Sequence, residues 1–557
     1  MEKLRITDVI KANEAGIVPV ISGGLERLTC AERVYPKIIL QAVRSGSLAR
    51  QIDLAYIEAQ RNPRTATNNP LSSTAGAYFI NEDVIGGSRE REVLAYTNAY
   101  GEALGLRPLS QKIKLGPGIG FVEAPRFYQQ LKTLGLGDQN LTINYTSPFG
   151  TAETRRGIKR IVDAKFNPEA NFIPDDGVFL TRGATEGIDL FMDAIATLKP
   201  NSRIIFLGLS YYTGPFSAFQ KGLIIDRRIK NPENSSMEAR FFPITEDITS
   251  SLPPNTSALV LTIPNNPNGE TYIDDELRKL FILAKEKGLF ILFDAIFENM
   301  YFDETKNYLS SVLQAALAAG ALDRVVIVDS LSKTMNFPGE RVGFLATTNQ
   351  RLKDALTDIV LARMCNPPLT LEPVIQFEGL ARKIKSLRVN APNTRLPVVI
   401  DKALEGTPYS LGKDSLMKMY EEWDQWNAEA LKFYRGNLEI TRAVLDGSLD
   451  GNSPDQAAFN TLVRLRGLPV GTNNMDYLAK LMFTLATYTQ VGPCFGLSQK
   501  VWDKTLGVWS RITYACSRED LIEGLIRLVT FNRFYAESDF GNPNKFPVLD
   551  ISFKDQI

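Results

Sequence analysis

Lys333 lies in a setting that could support covalent chemistry on an amine. It follows the apolar run 325–328 in a serine-rich turn, with Ser330 and Ser332 before it and Arg341 eight residues after it. A lysine at the end of a buried strand can be held unprotonated, and serine and arginine side chains bind phosphate. The pattern indicates a Schiff-base site for pyridoxal phosphate (PLP), and a solvated lysine in a polar turn is the simpler alternative.

The chain contains no histidine, which excludes several catalytic mechanisms. Ser-His-Asp triads, Cys-His pairs and histidine metal clusters all require this residue. Acid–base chemistry must come from other side chains or from a cofactor, and PLP catalysis meets this restriction because the lysine that carries the cofactor also moves protons. The four cysteines are far apart and form no paired metal-ligand spacing, so we predict no metal site.

Size and composition are consistent with a large soluble enzyme. The 557 residues are 44% apolar and 23% charged, and the formal net charge is zero, so no global field favours nucleic acid or an anionic membrane. No apolar run approaches the roughly 20 residues of a membrane helix. The mixed charges of residues 1–8 predict no signal peptide, and the scattered cysteines favour a cytoplasmic setting.

The elements that must position Lys333 form an alternating pattern between about residues 176 and 345. Short apolar runs alternate there with amphipathic stretches such as 275–287, which predicts a mostly parallel sheet flanked by helices, an α/β fold. Ligands of such sheets bind beyond the carboxyl ends of the strands. The predicted strands are 177–180, 203–207, 258–262, 289–293, 324–328 and 342–345.

Three further motifs follow predicted strands. Residues 181–187, Thr-Arg-Gly-Ala-Thr-Glu-Gly, open a helix whose start attracts phosphate, although an ordinary strand-to-helix turn has the same composition. Residues 264–269, Pro-Asn-Asn-Pro-Asn-Gly, fix an amide at a strand end or form a plain surface turn. Asp294 needs a positive partner when buried, and a protonated pyridine nitrogen is one; a helix N-cap is the alternative.

These segments, in this order, resemble the class I and II aminotransferases, the fold-type I PLP enzymes related to aspartate aminotransferase. The resemblance implies a large α/β domain, a smaller α+β domain, and Lys333 as the Schiff-base lysine. It also implies a set of cofactor contacts. These are Gly183, Ala184, Thr185, Ser330 and Arg341 at the phosphate, Asn266 at the phenolic oxygen, Asp294 at the pyridine nitrogen, and Tyr211 stacked on the ring, with Tyr212 as a near alternative.

Two matches outside the predicted sheet concern the substrate and the dimer. Arg511, in Trp-Ser-Arg-Ile-Thr, resembles the family arginine that binds the substrate carboxylate, and Asn266 is implied beside it. Tyr145 resembles the tyrosine that reaches the neighbouring subunit's phosphate, and residues 366–368, Asn-Pro-Pro, resemble a second interface segment. The resemblance therefore implies a homodimer with shared active sites.

Phe297 departs from the family pattern, which has a tyrosine three residues after the aspartate. Cys365 likewise replaces a frequent serine before the Asn-Pro-Pro segment. An aminotransferase that passes the amino group to a 2-oxo acid is the first expectation. A PLP-dependent lyase or synthase, of the aspartate 4-decarboxylase or S-adenosylmethionine-using kind, is the alternative.

The chain is longer than the family pattern, which suggests three regions. We predict a mainly helical extension over 1–110, a PLP-binding domain over 111–365, and a C-terminal domain over 366–557 with an insertion near 370–412. Residues 38–48 faintly resemble the start of a winged-helix module, so a PLP-sensing transcription regulator is a further alternative. Residues 114–120 form a glycine-rich turn that we interpret as a loop.

Overall fold

The computed structural model describes most of the chain between residues 113 and 537. The described residues are 113–137, 147–167, 169–230, 232, 238–307, 309–363, 371–407, 412–469, 471, 472, 474, 477, 478, 481, 487–495, 497 and 501–537. The predicted helical extension over 1–110 and the winged-helix resemblance at 38–48 lie outside these residues. The three-domain division stays a prediction.

The described elements follow the alternation that the sequence predicts. The strands are β1 (Ile113–Lys114), β2 (Val178–Thr181), β3 (Arg203–Leu207), β4 (Ile224–Arg228), β5 (Thr256–Thr262), β6 (Phe290–Asp294), β7 (Val325–Ser330), β8 (Gly343–Thr347), β9 (Leu449–Asn452), β10 (Asn460–Leu465), β11 (Thr487–Tyr488), β12 (Gln490–Val491) and β13 (Trp509–Thr513). The helices are α1 (Arg126–Gly137), α2 (Ala152–Asp163), α3 (Ala184–Leu198), α4 (Thr213–Gln220), α5 (Thr245–Ser250), α6 (Asp274–Lys287), α7 (Ser311–Ala318), α8 (Leu331–Thr334), α9 (Gln350–Arg363), α10 (Glu372–Asn390), α11 (Leu396–Leu404), α12 (Lys413–Leu445) and α13 (Arg518–Glu537).

A seven-stranded sheet in the order β2-β8-β7-β6-β5-β3-β4 forms the centre of the large domain. Strands β7, β6, β5, β3 and β4 are parallel to one another, and β8 runs antiparallel to both β2 and β7. β5, β6, β7 and β8 are buried along their whole length, because helices cover both faces of the sheet. The α/β fold expected from the sequence is confirmed.

Strand β4 was not predicted. Its sequence, Ile-Ile-Asp-Arg-Arg, lacks a continuous apolar run because it lies at the edge of the sheet, where only one neighbour pairs with it. Arg228 and Asp226 form an ion pair of 2.9 Å on this strand. Charged side chains are a usual way to protect a sheet edge, and they remove the apolar signal that marks buried strands.

Helix α6 shows why the alternating segments fold as they do. Asp274, Asp275 and Glu276 occupy its first turn, and lysines occupy its last, so both ends complement the helix dipole. Gly288 ends the helix with φ of 65°, a left-handed conformation that glycine adopts without strain. The helix therefore returns the chain to the start of β6, whose last residue is Asp294.

The C-terminal part builds a second layer beside the large sheet. Strands β12, β13, β10 and β9 form an antiparallel sheet in that order, and α12 packs against α13. The predicted insertion near 370–412 contains α10 and α11, and α10 packs along α2 of the large domain. Within the described ranges, no helix has the length and apolar character needed to cross a membrane.

Candidate active site

The sheet register brings the predicted site segments together at one edge. Asp294, the last residue of β6, lies opposite Thr262 of β5 and Val328 of β7. Gly343 lies between Thr181 and Ser330, so the turns that follow β2 and β7 are neighbours. The carboxyl ends of these strands therefore form one site, as the topology of parallel sheets requires.

Lys333 lies in α8, a single helical turn directly after β7. Its Nζ donates a hydrogen bond to the carbonyl oxygen of Gly118. Burial, together with the Arg511 and Arg341 guanidiniums, lowers the pKa of Lys333 to about 8, against the opposing charge of Asp294. A substantial fraction of this amine is therefore neutral near physiological pH, as a nucleophilic lysine requires.

Asp294 is 9% exposed and accepts two long hydrogen bonds. They come from the Ile296 backbone N–H, at 3.2 Å, and from the Thr262 hydroxyl, at 3.3 Å. Burial raises the pKa of Asp294 to about 7 and Asp329 adds to this rise, whereas the hydrogen bonds and the Lys333 charge oppose it. The carboxyl group is thus costly to ionise and would be stabilised by a cation placed against it.

Gly183, Ser330 and Arg341 form a cradle at the start of α3. Gly183 has φ of +80°, and a Cβ added there would lie 2.6 Å from Nη2 of Arg341. The Arg341 guanidinium donates to the carbonyl oxygens of Pro338, at 3.0 Å, and Arg182, at 3.2 Å. The Ser330 Oγ is buried and accepts from the Ser332 backbone N–H at 3.2 Å.

Ala184 and Thr185 are the first residues of α3, whose N–H groups have no acceptor inside the helix. They share the cradle with Gly183, and the arginine lies directly above it. A guanidinium, free helical N–H groups and small residues in one place are suited to an anion such as phosphate.

Arg511 lies on β13 and is only 2% exposed. Its guanidinium donates to the Asn266 Oδ1 at 2.8 Å and to the Gly116 carbonyl oxygen, and it lies 5.3 Å from the centre of the Phe495 ring. The structure thus places Asn266 and Arg511 together, although they are 245 residues apart. A buried arginine in this position is suited to binding a carboxylate.

The glycine-rich turn at 116–120 is part of the site, which the sequence interpretation missed. Gly116 contacts Arg511, Gly118 contacts Lys333, and a Cβ added to Gly120 would lie 2.6 Å from the Asn336 Oδ1. The signal was the repeated absence of side chains, which permits the backbone to approach other groups closely.

The aromatic residues named in the sequence analysis differ in their burial and in their contacts. Tyr211 is half-buried, with its ring centre 4.6 Å from that of Tyr212. Phe297 is buried against the Phe459 ring, with centres 5.4 Å apart, so an apolar contact occupies the position of the family tyrosine. Tyr145 lies outside the described residues.

Arg363 and Cys365 lie just before the Asn-Pro-Pro segment in the sequence. Arg363 forms ion pairs with Asp189, at 3.4 Å, and with Asp193, which supports a structural role for this arginine. Cys365 and the Asn-Pro-Pro segment lie outside the described residues. Among the described residues, no cluster of acidic and cysteine side chains could hold a metal ion.

A cavity opens beside Lys333, on the side of helices α10 and α12. It encloses about 1030 Å³, including open solvent at its mouth, and Arg382, Trp423, Trp426 and Asn336 are among its lining residues. Asp294 and Arg511 do not line it. Lys333 is therefore accessible from a second direction, away from the cradle.

The residues fit a PLP molecule in charge and in shape. The glycine at 183 leaves an anion cradle below Arg341. The two hydrogen-bond donors to Asp294, the Ile296 N–H and the Thr262 hydroxyl, are both neutral, and the pKa of Asp294 stays raised although the Lys333 charge opposes the rise. A phosphate and a protonated pyridine would supply the missing charges at the two positions. Lys333, with its lowered pKa, would meet the aldehyde.

Comparisons with known proteins agree with this arrangement. Residues 118–370 match the family model "Aminotransferase class I and II". An aspartate aminotransferase from Thermotoga maritima is 27% identical over 209 residues, 37% of this chain and 51% of that protein. A putative aminotransferase from Rhizobium meliloti is 30% identical over 218 residues, 39% of this chain and 50% of that protein. The chain thus spans about half the length of the curated relatives it matches.

The fold is similar over a longer stretch than the sequence. The crystal structure of aspartate aminotransferase from Thermotoga maritima superposes with a TM-score of 0.59 at 19% identity, covering 82% of this chain and 99% of that one. The structure of an aspartate aminotransferase mutant from Thermus thermophilus gives 0.58 at 17% identity, covering 79% and 96%. The chain therefore has the fold of the fold-type I aminotransferases, and its residues 118–370 are similar to class I and II aminotransferases.

Proposed function

We propose that this chain is a PLP-dependent enzyme that transfers the amino group of an amino acid to a 2-oxo acid. The observation that carries the proposal is the position of Lys333. Its half-buried amine, with a pKa lowered to about 8, interacts with the charges of an acidic group, Asp294, and of two guanidiniums, Arg341 and Arg511. This arrangement suits an amine that captures an aldehyde, beside one site for a phosphate and another for a carboxylate.

The residues that would hold PLP are those that form the site. The cradle of Gly183, Ala184, Thr185, Ser330 and Arg341 would bind the phosphate, and Lys333 would form the covalent link. Asp294 would face the pyridine nitrogen, with Asn266 and Tyr211 on the ring. When bound, PLP supplies an electron-withdrawing ring that stabilises negative charge on the substrate α-carbon.

Three side chains would then bind the substrate, move the proton and hold the charge of the ring. Arg511 would bind the substrate carboxylate, and its burial at 2% exposure keeps this contact away from water. Lys333, once its amine is free and neutral, would accept the substrate α-proton at Nζ and would deliver a proton to the carbon derived from the cofactor aldehyde, as amino transfer requires. Asp294 would hold its negative charge against the ring nitrogen and so maintain the proton there.

Activity with a panel of amino acids and 2-oxo acids tests the proposal. The panel includes aspartate and the aromatic amino acids, because relatives that match this chain are named for both. We expect amino transfer with PLP present, and its loss in Lys333→Ala. Lys279→Ala, at a lysine with 62% side-chain exposure, is the control and should retain activity. Release of carbon dioxide or ammonia without amino transfer would instead indicate a lyase.

We also propose a homodimer with shared active sites. The support is the resemblance of Tyr145 and of residues 366–368 to family interface segments. Sedimentation equilibrium should give twice the mass of the 62.0 kDa chain. In a mixture of Tyr145→Phe and Lys333→Ala subunits, activity above that of either variant alone would show that two subunits build one site.

A further inference from the structure

Lys165 forms a buried ionic cluster beneath the site, and it has no part in the catalytic roles proposed for the other residues. Its Nζ lies 2.7 Å from the Glu298 carboxylate and 3.0 Å from the Asp329 carboxylate. All three side chains are at most 3% exposed. Burial opposes the lysine charge, yet Asp329 and Glu298 outweigh it and raise the pKa of Lys165, so the amine stays protonated.

The two carboxylates lie near the ends of β6 and β7, close in sequence to Asp294 and Lys333. Glu298 lies in the loop after β6, four residues beyond Asp294, and Asp329 lies on β7, four residues before Lys333. The Asp329 Oδ1 also accepts a hydrogen bond of 2.7 Å from the Ser330 backbone N–H, next to the phosphate cradle. Through these two ion pairs, Lys165 connects the loop that follows Asp294 with the end of the strand that precedes Lys333.

Electrostatic interactions connect the Lys165 cluster with Asp294. Asp329 and Lys333 are the charged groups that act on Asp294, with opposite signs. Around the cluster itself, Arg382 of α10 also interacts with Asp329, but its own ion pair of 2.7 Å is with Glu378. Removal of the Lys165 charge would leave Asp329 and Glu298 as two buried carboxylates that have lost their shared ion-pair partner, which disfavours ionisation of a third carboxyl nearby.

We propose that Lys165 is a positioning residue of the cofactor site, whose buried charge neutralises Asp329 and Glu298 so that Asp294 can ionise against a protonated pyridine. The inference rests on the proposed PLP function. It adds a residue whose proposed effect on the cofactor site is exerted through Asp329 and Glu298. A merely structural ion pair would affect folding stability but not the pH dependence of cofactor binding.

The experiment measures PLP binding to the apoprotein from pH 5.5 to 9. The variants are Lys165→Met, which removes the charge, and Lys165→Arg, which keeps it. Lys353→Met is the matched control, because Lys353 of α9 is a buried lysine that pairs with Asp176 at 2.8 Å, outside the site. Fluorescence titration gives a dissociation constant at each pH without reliance on turnover.

Lys165→Met should weaken PLP binding at least tenfold at pH 7 and move the acid-side loss of affinity to higher pH by about one unit or more. Lys165→Arg and Lys353→Met should retain the wild-type profile. A folded Lys165→Met protein with wild-type affinity and profile would overturn the inference. If Lys165→Met does not fold, the double variant Lys165→Met/Glu298→Gln takes its place. It removes one of the two carboxylates, so that Asp329 is the one left unneutralised. An unshifted profile in that double variant would overturn the inference equally.

The outcomes separate this inference from the proposed function. Wild-type protein that binds PLP, together with an unaffected Lys165→Met variant, would overturn the role of Lys165 alone. Wild-type protein that binds no PLP at any pH would overturn both.

Discussion

Replacing Asp294 with asparagine should stabilise the apoprotein, and more so at high pH. The fold raises the pKa of this group from 3.8 to about 7, so the folded state prefers the protonated carboxyl. Its contribution to stability is most favourable below pH 3.8 and is lost as the pH rises through 7. At about 1.4 kcal/mol per pH unit, the raised pKa lowers the free energy of unfolding of the apoprotein by on the order of 4 kcal/mol at pH 8 and by about 1.6 kcal/mol at pH 5.

Asparagine has nearly the same shape and carries no charge, so it removes this pH-dependent cost. Urea unfolding of the two apoproteins at pH 5 and pH 8 measures the difference in unfolding free energy. The advantage of Asp294→Asn should be about 2.5 kcal/mol larger at pH 8 than at pH 5. Asp446→Asn, at an exposed aspartate, is the control. Equal advantages at both pH values would refute a costly buried carboxylate at 294.

Three further predictions concern the contacts at the site. Arg511→Lys should raise the KM for the amino acid about 10- to 100-fold without changing PLP affinity, because lysine lacks the two-pronged contact; an unchanged KM would place the carboxylate elsewhere. Gly183→Ala should weaken PLP binding at least tenfold in titrations, because its Cβ would lie 2.6 Å from Arg341. Gly288→Ala, with a similar positive φ and no atom near its Cβ, should not weaken it. The initial rate of PLP capture should rise with pH through about 8, as the Lys333 amine loses its proton, and a flat stopped-flow profile would contradict the lowered pKa.

The sequence predicts the centre of this protein well because its signals are local. Each buried strand of the seven-stranded sheet contains an apolar run; Asp294 directly follows such a run, and Lys333 lies in the turn after another. The parallel topology then brings the strand ends together, so the site segments could be grouped from the amino-acid sequence alone. Strand β4 escaped prediction because edge strands need not be apolar.

The contacts that depend on distant segments were harder to predict. The glycine-rich turn at 116–120 was interpreted as a plain loop, yet its carbonyl oxygens meet Lys333 and Arg511. Lys165 is more than 160 positions from Asp329 in sequence, and no local pattern indicates that they pair. Such pairs arise from the packing of α2 against the sheet and of α10 against α2, which a single sequence does not reveal.

The central claim is that Lys333 forms a covalent link with PLP, and one measurement tests it directly. Purified protein is saturated with PLP, reduced with borohydride and digested, and peptide mass spectrometry locates the added phosphopyridoxyl group. We predict modification of Lys333, and none in Lys333→Ala prepared in the same way. Protein that shows no modification, or that carries it on another lysine to the same extent in both samples, would contradict the account.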